Sequence, residues 1–290
     1  MVLDKHNSSI HSKYFGTPKG ILVAVGGNED KRRNLEVLRT MVELMDKSKL
    51  IIELITTASC EPQEMGEKYT KAFNKLDISN IGLMHIKTRN EANDPKNVKR
   101  LMKANLIYFT GGDQLRITSI LGGSPVLNTI KKKYYEEKCV VGGTSAGASA
   151  MPDTMIYEGE SPEALFKGEV QMTAGIGLVK NVVIDSHFIK RGRFSRLMEA
   201  VTTNPEPIGL GLGEDAGVII RESHILEAIG NGLVVIFDGQ HIIYSNISEI
   251  EMGEAIAVQN VIVHTLVKGY GYDLLTREYL KPSDLLMVNI

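Results

Sequence analysis

Long apolar runs are missing from this 290-residue chain. No stretch of about 18 apolar residues occurs, which argues against a membrane span and a membrane partner. A surplus of one charge is also missing: 33 Lys and Arg stand against 35 Asp and Glu, a net charge of −2. Such a balance gives no case for general nucleic-acid binding. Cysteine occurs only twice, at Cys60 and Cys139, each in or beside an apolar run. The pair reads as free, buried thiols in a reducing, cytoplasmic compartment rather than as a disulfide framework. Neither has metal-site spacing, and the seven histidines contain no H-x-x-x-H, so no metal is expected. G-x-G-x-x-G and G-x-x-x-x-G-K-[ST] are absent as well, and no cofactor is expected. The first 19 residues are polar and lack the apolar segment of a secretory signal, which predicts a flexible tail.

What the chain does contain is alternation. Short apolar runs at 21–25, 50–56, 81–86, 106–109 and 139–141 are separated by helical patterns, among them 62–75, 95–103 and 125–137. That order predicts βα units and a doubly wound, mostly parallel sheet covered on both faces. After about residue 180 the pattern changes to short strands at 182–185, 208–212, 217–220, 225–229, 233–237 and 242–244. One clear helix, 194–202, interrupts them. These strands predict antiparallel hairpins on the sheet's edge or beside it. With no low-complexity linker and no internal repeat, residues 20–290 read as a single α/β domain.

Open α/β sheets bind ligands beyond the carboxyl ends of their strands. Three Gly-rich breaks fall at such ends: Gly26-Gly27-Asn28-Glu29, Gly111-Gly112-Asp113-Gln114 and Gly142-Gly143-Thr144-Ser145. In the third, Ser145 lies between small residues at a strand-to-helix turn, the pattern of a nucleophile elbow. A plain connecting turn is an equal reading of that motif alone. A serine nucleophile needs a base, and the base needs an acid. His187 closes the apolar run 182–185 and is the best base; His85, His224, His241 and His264 are the alternatives. Glu214 is the favoured acid, with Asp215 beside it as a rival that spacing cannot separate. Oxyanion donors would be the N–H of Ala146 and an N–H of the Gly111-Gly112-Asp113 turn. Arg191, Arg193 and Arg196, with Lys190, follow His187 closely and could grip a carboxylate bidentately; a solvated basic helix start is the competing reading. Asp185 could accept a guanidinium or ammonium. Together these point to a zwitterionic, peptide-like substrate.

In sequence, Phe109-Thr110-Gly111-Gly112-Asp113-Gln114, Gly142-Gly143-Thr144-Ser145-Ala146-Gly147-Ala148, Asp185-Ser186-His187-Phe188 and Gly211-Leu212-Gly213-Glu214-Asp215 resemble the cyanophycinase family. That family comprises serine-type exopeptidases related to the aspartyl dipeptidase peptidase E. The resemblance implies a class I glutamine amidotransferase-like, flavodoxin-like fold. It implies Ser145, His187 and Glu214 as nucleophile, base and acid. It places Gln114, Asp185, Ser186, Arg191, Arg193 and Arg196 at a substrate pocket. The implied substrate is cyanophycin, the implied product the β-Asp-Arg dipeptide, and the implied assembly a homodimer. Ser186 stands where the family usually has Gln, which keeps a dipeptidase for aspartyl or isoaspartyl dipeptides as the alternative.

Overall fold

The computed structural model describes residues 16–159 and 165–288. Residues 1–15 of the expected tail lie outside the described residues. Gly20 already donates to the Tyr134 carbonyl at 2.8 Å, just before the first strand.

The first half builds strands β1 (Ile21–Val25), β2 (Ile52–Ile55), β3 (Ile81–Met84), β4 (Leu106–Phe109) and β5 (Val140–Thr144). Helices α1 (Glu36–Glu43), α2 (Pro62–Asn74), α3 (Arg89–Ala92), α4 (Pro95–Leu101), α5 (Gln114–Leu121) and α6 (Pro125–Glu136) connect them. Proline opens α2, α4 and α6, where its missing N–H costs nothing. Asp94, Asp113 and Ser124 cap α4, α5 and α6 by accepting backbone N–H bonds. After α7 (Ala146–Ser149) the chain forms a hairpin of β6 (Thr154–Glu158) and β7 (Gln171–Ala174). Then follow β8 (Val182–Asp185), α8 (Phe194–Thr203), β9 (Ile208–Leu212), β10 (Ala216–Arg221), β11 (Ile225–Gly230) and β12 (Val234–Asp238). The last elements are β13 (Tyr244–Ser245), β14 (Val258–Gln259), β15 (Ile262–Leu266), β16 (Gly271–Asp273), β17 (Glu278–Leu280) and α9 (Pro282–Val288).

Nine strands form the main sheet in the order β17-β16-β11-β10-β1-β5-β4-β2-β3. From β1 to β3 all pairings are parallel; from β1 to β17 all are antiparallel. The doubly wound parallel sheet with an antiparallel C-terminal extension is therefore the observed architecture. β1 shows why its sequence is apolar throughout. Val23 and Val25 pack into the core under α1 and α2, while Leu22 and Ala24 pack into the core on the other face. A strand buried on both faces has no polar side to display. A second sheet, β15-β12-β9-β8, packs on the Leu22 face through Ile184, Leu210 and Ile236. Its β8 and β9 are parallel, joined across α8.

One expectation about cysteine needs correction. Cys139 is buried, but Cys60 is exposed in the loop after β2, where the apolar run has already ended. Among the described residues, no helix is long and apolar enough to cross a membrane.

Candidate active site

Ser145 follows the last residue of β5 with φ 52° and ψ −118°, a conformation that costs an L-residue on the order of 1–3 kcal/mol. Close packing enforces the turn. A Cβ at Gly143 would lie 2.7 Å from the Gly147 backbone, and one at Gly147 would lie 2.5 Å from the Phe109 carbonyl. The Ser145 N–H donates to the Val25 carbonyl at 2.9 Å, tying the elbow to the end of β1.

His187 lies two residues past β8, also at positive φ (50°). Its N–H donates to the Gly26 carbonyl at 2.7 Å. Its ring stands over Gly27, where a Cβ would come within 2.5 Å of Nε2. Nε2 is 3.0 Å from Ser145 Oγ, and Nδ1 is 2.8 Å from Glu214 Oε1. Glu214 ends the run from β9, and its other oxygen accepts from Asn28 Nδ2 at 3.0 Å. The His187 hydrogen bond holds the Glu214 carboxyl below its ordinary value, so it is ionised at neutral pH. A carboxylate on Nδ1 fixes the proton there and leaves Nε2 as an acceptor for the serine hydroxyl.

The rival residues have other partners. Asp215 accepts from the Asp30 N–H and from Asn231 Nδ2, both at 2.9 Å, and so braces the neighbouring loop. His85 bonds Thr56 and Gln63, His224 bonds Asp273, and His264 stacks near Tyr272. At the glycine turn the expectation divides. Gly111 lies close to Ser145, since a Cβ there would be 3.8 Å from Oγ. The Asp113 N–H, however, donates to the Ala58 carbonyl at 3.0 Å and is not a free oxyanion donor. The N–H groups of Gly112 and of Ala146, the first residue of α7, are the donors that remain.

The residues expected at the substrate pocket are engaged with one another. Asp185 is fully buried, and its Oδ1 accepts from Arg193 Nη1 and Arg196 Nη2, each at 3.0 Å. Its Oδ2 is buried without a hydrogen-bond partner among the described residues. Arg193 also donates to the Ser186 carbonyl (2.8 Å) and Arg196 to that of Gly159 (2.7 Å). Gln114 Nε2 donates to the carbonyls of Ile156 and Tyr157 (2.9 and 3.3 Å). Ser186 is buried and accepts from Ser149 Oγ at 3.4 Å, whereas Arg191 is exposed.

Residues 21–228 match peptidase family S51. The chain belongs to that family. Cyanophycinases of Synechococcus elongatus and Geminocystis herdmanii are 32% identical to this S51 peptidase over 260 and 257 residues. Those alignments cover 90% and 89% of the chain and 81% and 94% of the relatives. The crystal structure of a peptidase from an acI-B1 actinobacterium superposes with a TM-score of 0.65 at 20% identity. It covers 89% of this chain and 98% of its own, and shows the shared fold.

Two residues of the first Gly-rich break gave no sign in sequence of the partners they take here. Asn28 gains its place through the third-dimensional approach of Glu214. Glu29 is enclosed below the elbow, where it accepts from the hydroxyls of Tyr69, Tyr108 (2.9 Å) and Thr144 (2.9 Å), with Lys31 at 3.4 Å. Burial raises its pKa, but the Lys31 charge and the hydroxyl bonds outweigh this and hold the carboxyl below its ordinary value. Since Thr144 precedes Ser145 and Glu29 follows Asn28, this one carboxylate ties the elbow to the loop that steadies Glu214. The Gly26-Gly27 break before it was the only cue.

Proposed function

We propose that this S51 peptidase hydrolyses cyanophycin, a poly-aspartate whose β-carboxyls are amide-linked to arginine, to β-Asp-Arg dipeptides through an acyl-enzyme. The observation that carries the reading is the continuous Ser145–His187–Glu214 hydrogen-bond relay at the mouth of the sheet. Relatives named cyanophycinase, similar over nine-tenths of the chain, supply the substrate.

Ser145 Oγ attacks the scissile carbonyl carbon as its proton passes to His187 Nε2. Glu214 stabilises the imidazolium. The N–H groups of Gly112 and Ala146 receive the developing oxyanion, and a donor of this kind is worth about 10²–10³ in rate. The leaving amine takes the proton from Nε2, and water then releases the acyl group by the same relay. Arg191 offers a guanidinium to a substrate carboxylate, while buried Asp185 holds Arg193 and Arg196 in position behind it. Burial raises the Asp185 pKa, and the charges of Arg196 and Arg193 oppose that rise. Ser186 is the residue that motivates the dipeptidase reading, and the relatives named cyanophycinase favour the polymer over it.

Residues 20–290 act as one domain in this reading, supported by an apolar core that runs without a break from β1 to β12. It works in the cytoplasm, in keeping with two free thiols, and as the homodimer that the family likeness implies. Incubating insoluble cyanophycin with wild type and with Ser145→Ala tests the proposal. Soluble β-Asp-Arg should appear, by mass, only with wild type. Equal release by the variant would exclude the mechanism, and faster turnover of Asp-X dipeptides than of polymer would exclude the substrate.

A further inference from the structure

A groove of about 1310 Å³ opens beside the relay, with Asn28 and Asp215 among the residues that line it. Asn28 bonds the carboxylate of Glu214, so the groove and the reacting groups share a wall. One bank is α2, which presents Lys68 and Lys71, with Lys75 at its C-cap continuing the same face at i, i+3 and i+7. The other bank is the loop 31–34, with Arg32 and Arg33 exposed. Lys75 Nζ donates to the Arg32 carbonyl at 3.1 Å, which ties the two banks together.

The acids nearby offset these cations only in part. The Asp30 carboxylate is taken up by the backbone N–H groups of Arg32, Arg33, Asn34 and Leu35 at 2.6–3.1 Å. Those bonds hold its pKa far below the ordinary value, so it is a fixed brace for the loop. Glu29 is enclosed by its three hydroxyls. Lys68 is paired with Glu64 at 2.6 Å, but Arg32, Arg33 and Lys71 have no carboxylate partner among the described residues. Six cations and three acids line the groove, so on a chain with net charge −2 it carries a local positive excess. A low-dielectric groove with an excess of one charge concentrates ligands of the other.

We propose that this groove binds the carboxylate-bearing remainder of a polypeptide substrate while its end is cut at Ser145. The inference rests on the proposed function for the identity of that polymer. In cyanophycin each arginine is joined through its α-amine and keeps a free carboxylate. A run of units crossing Asn28 thus presents a row of anions to the two banks, with the guanidiniums turned outward. The groove sets affinity for long chains and leaves bond cleavage to the relay.

The test compares Arg32→Gln/Arg33→Gln/Lys71→Gln with wild type and with Lys96→Gln/Lys99→Gln/Lys103→Gln, which removes equal charge from an exposed surface outside the groove. For the groove variant, the ratio of kcat/KM on soluble long-chain cyanophycin to that on a two-unit fragment should fall about tenfold, the combined worth of three exposed ion contacts. That loss should shrink as sodium chloride is raised. The control variant should keep the wild-type ratio. An unchanged ratio in the groove variant, or an equal fall in the control, overturns the proposal. A second arm measures binding of fluorescein-labelled poly-L-aspartate to the Ser145→Ala protein. Weaker binding on adding the groove substitutions supports the groove, and equal binding overturns it. This arm decides the groove even if wild type releases no dipeptide from cyanophycin, a result that would sink the proposed function alone. Tighter capture of a single-stranded RNA of equal charge than of poly-L-aspartate would overturn the choice of ligand.

Discussion

Gly27→Ala probes the relay without touching any group that reacts. The added methyl would lie 2.5 Å from His187 Nε2. Ordinary contact is about 3.5 Å, so ring and methyl must separate by about 1 Å. The backbone cannot supply that movement cheaply. The Gly27 carbonyl accepts from the Asp215 N–H at 3.0 Å, and the neighbouring Gly26 carbonyl accepts from His187 at 2.7 Å. The imidazole therefore retreats, and the 3.0 Å contact with Ser145 opens to a gap that no longer supports proton transfer. A misplacement of about 1 Å costs on the order of 10²-fold in rate. Alanine at φ 102° adds strain of roughly 1–3 kcal/mol, which lowers Tm by several degrees but leaves a folded protein. Steady-state kinetics on cyanophycin should show kcat down about 10²-fold with KM moved far less. Far-UV circular dichroism should be native, and labelling of Ser145 by a fluorophosphonate should slow in parallel. A kcat within twofold of wild type in a folded variant would refute the account of how His187 is seated.

Glu214→Gln leaves an amide that cannot suit both neighbours, since Nδ1–H and Asn28 Nδ2 each need an acceptor. We expect kcat to fall between about 10²- and 10⁴-fold at nearly constant Tm, whereas Asp215→Asn should reverse that order, lowering Tm through about 1 kcal/mol of lost bracing and sparing kcat. Glu29→Gln keeps one acceptor for the tyrosines but weakens the Thr144 bond and leaves Lys31 unmatched. A loss of roughly 1.5–3 kcal/mol is expected by chemical denaturation at neutral pH. Because folding lowers the Glu29 pKa, its contribution is present above the ordinary glutamate value of 4.5 and vanishes as pH falls through the folded value. The gap between wild type and variant should therefore close in acid, and a gap that widens there would refute the assignment.

The central sheet was legible because β1, β2, β4 and β5 are enclosed on both faces and are written mostly in apolar or small residues, buried Glu53 of β2 being paired with Arg100. Ser145, His187 and Glu214 were legible because each ends such a run among small residues. The choice between Glu214 and Asp215 was not. Adjacent turn residues diverge according to backbone angle, and Asp215 at φ 52° turns its carboxylate back to Asp30. The partners of Arg193 and Arg196 were hidden for a related reason: spacing shows that a guanidinium is near Asp185, not that the protein consumes it. Asp113 looked like an oxyanion donor until the Ala58 carbonyl came beside it. Strands β14, β16 and β17 were missed because they are only two or three residues long, too short to show any periodicity. Glu29 left no trace, since a lone acid after a glycine pair is indistinguishable from an ordinary turn residue.

The hydroxyl and the imidazole belong to different sheets. Ser145 grows from β5 of the nine-stranded sheet, while His187 and Glu214 terminate β8 and β9 of the four-stranded one. Reactivity is thus a property of a seam rather than of either half. A slight slippage between the layers would silence the enzyme while each layer kept its own ladder of hydrogen bonds, so heat should extinguish turnover before it melts the strands.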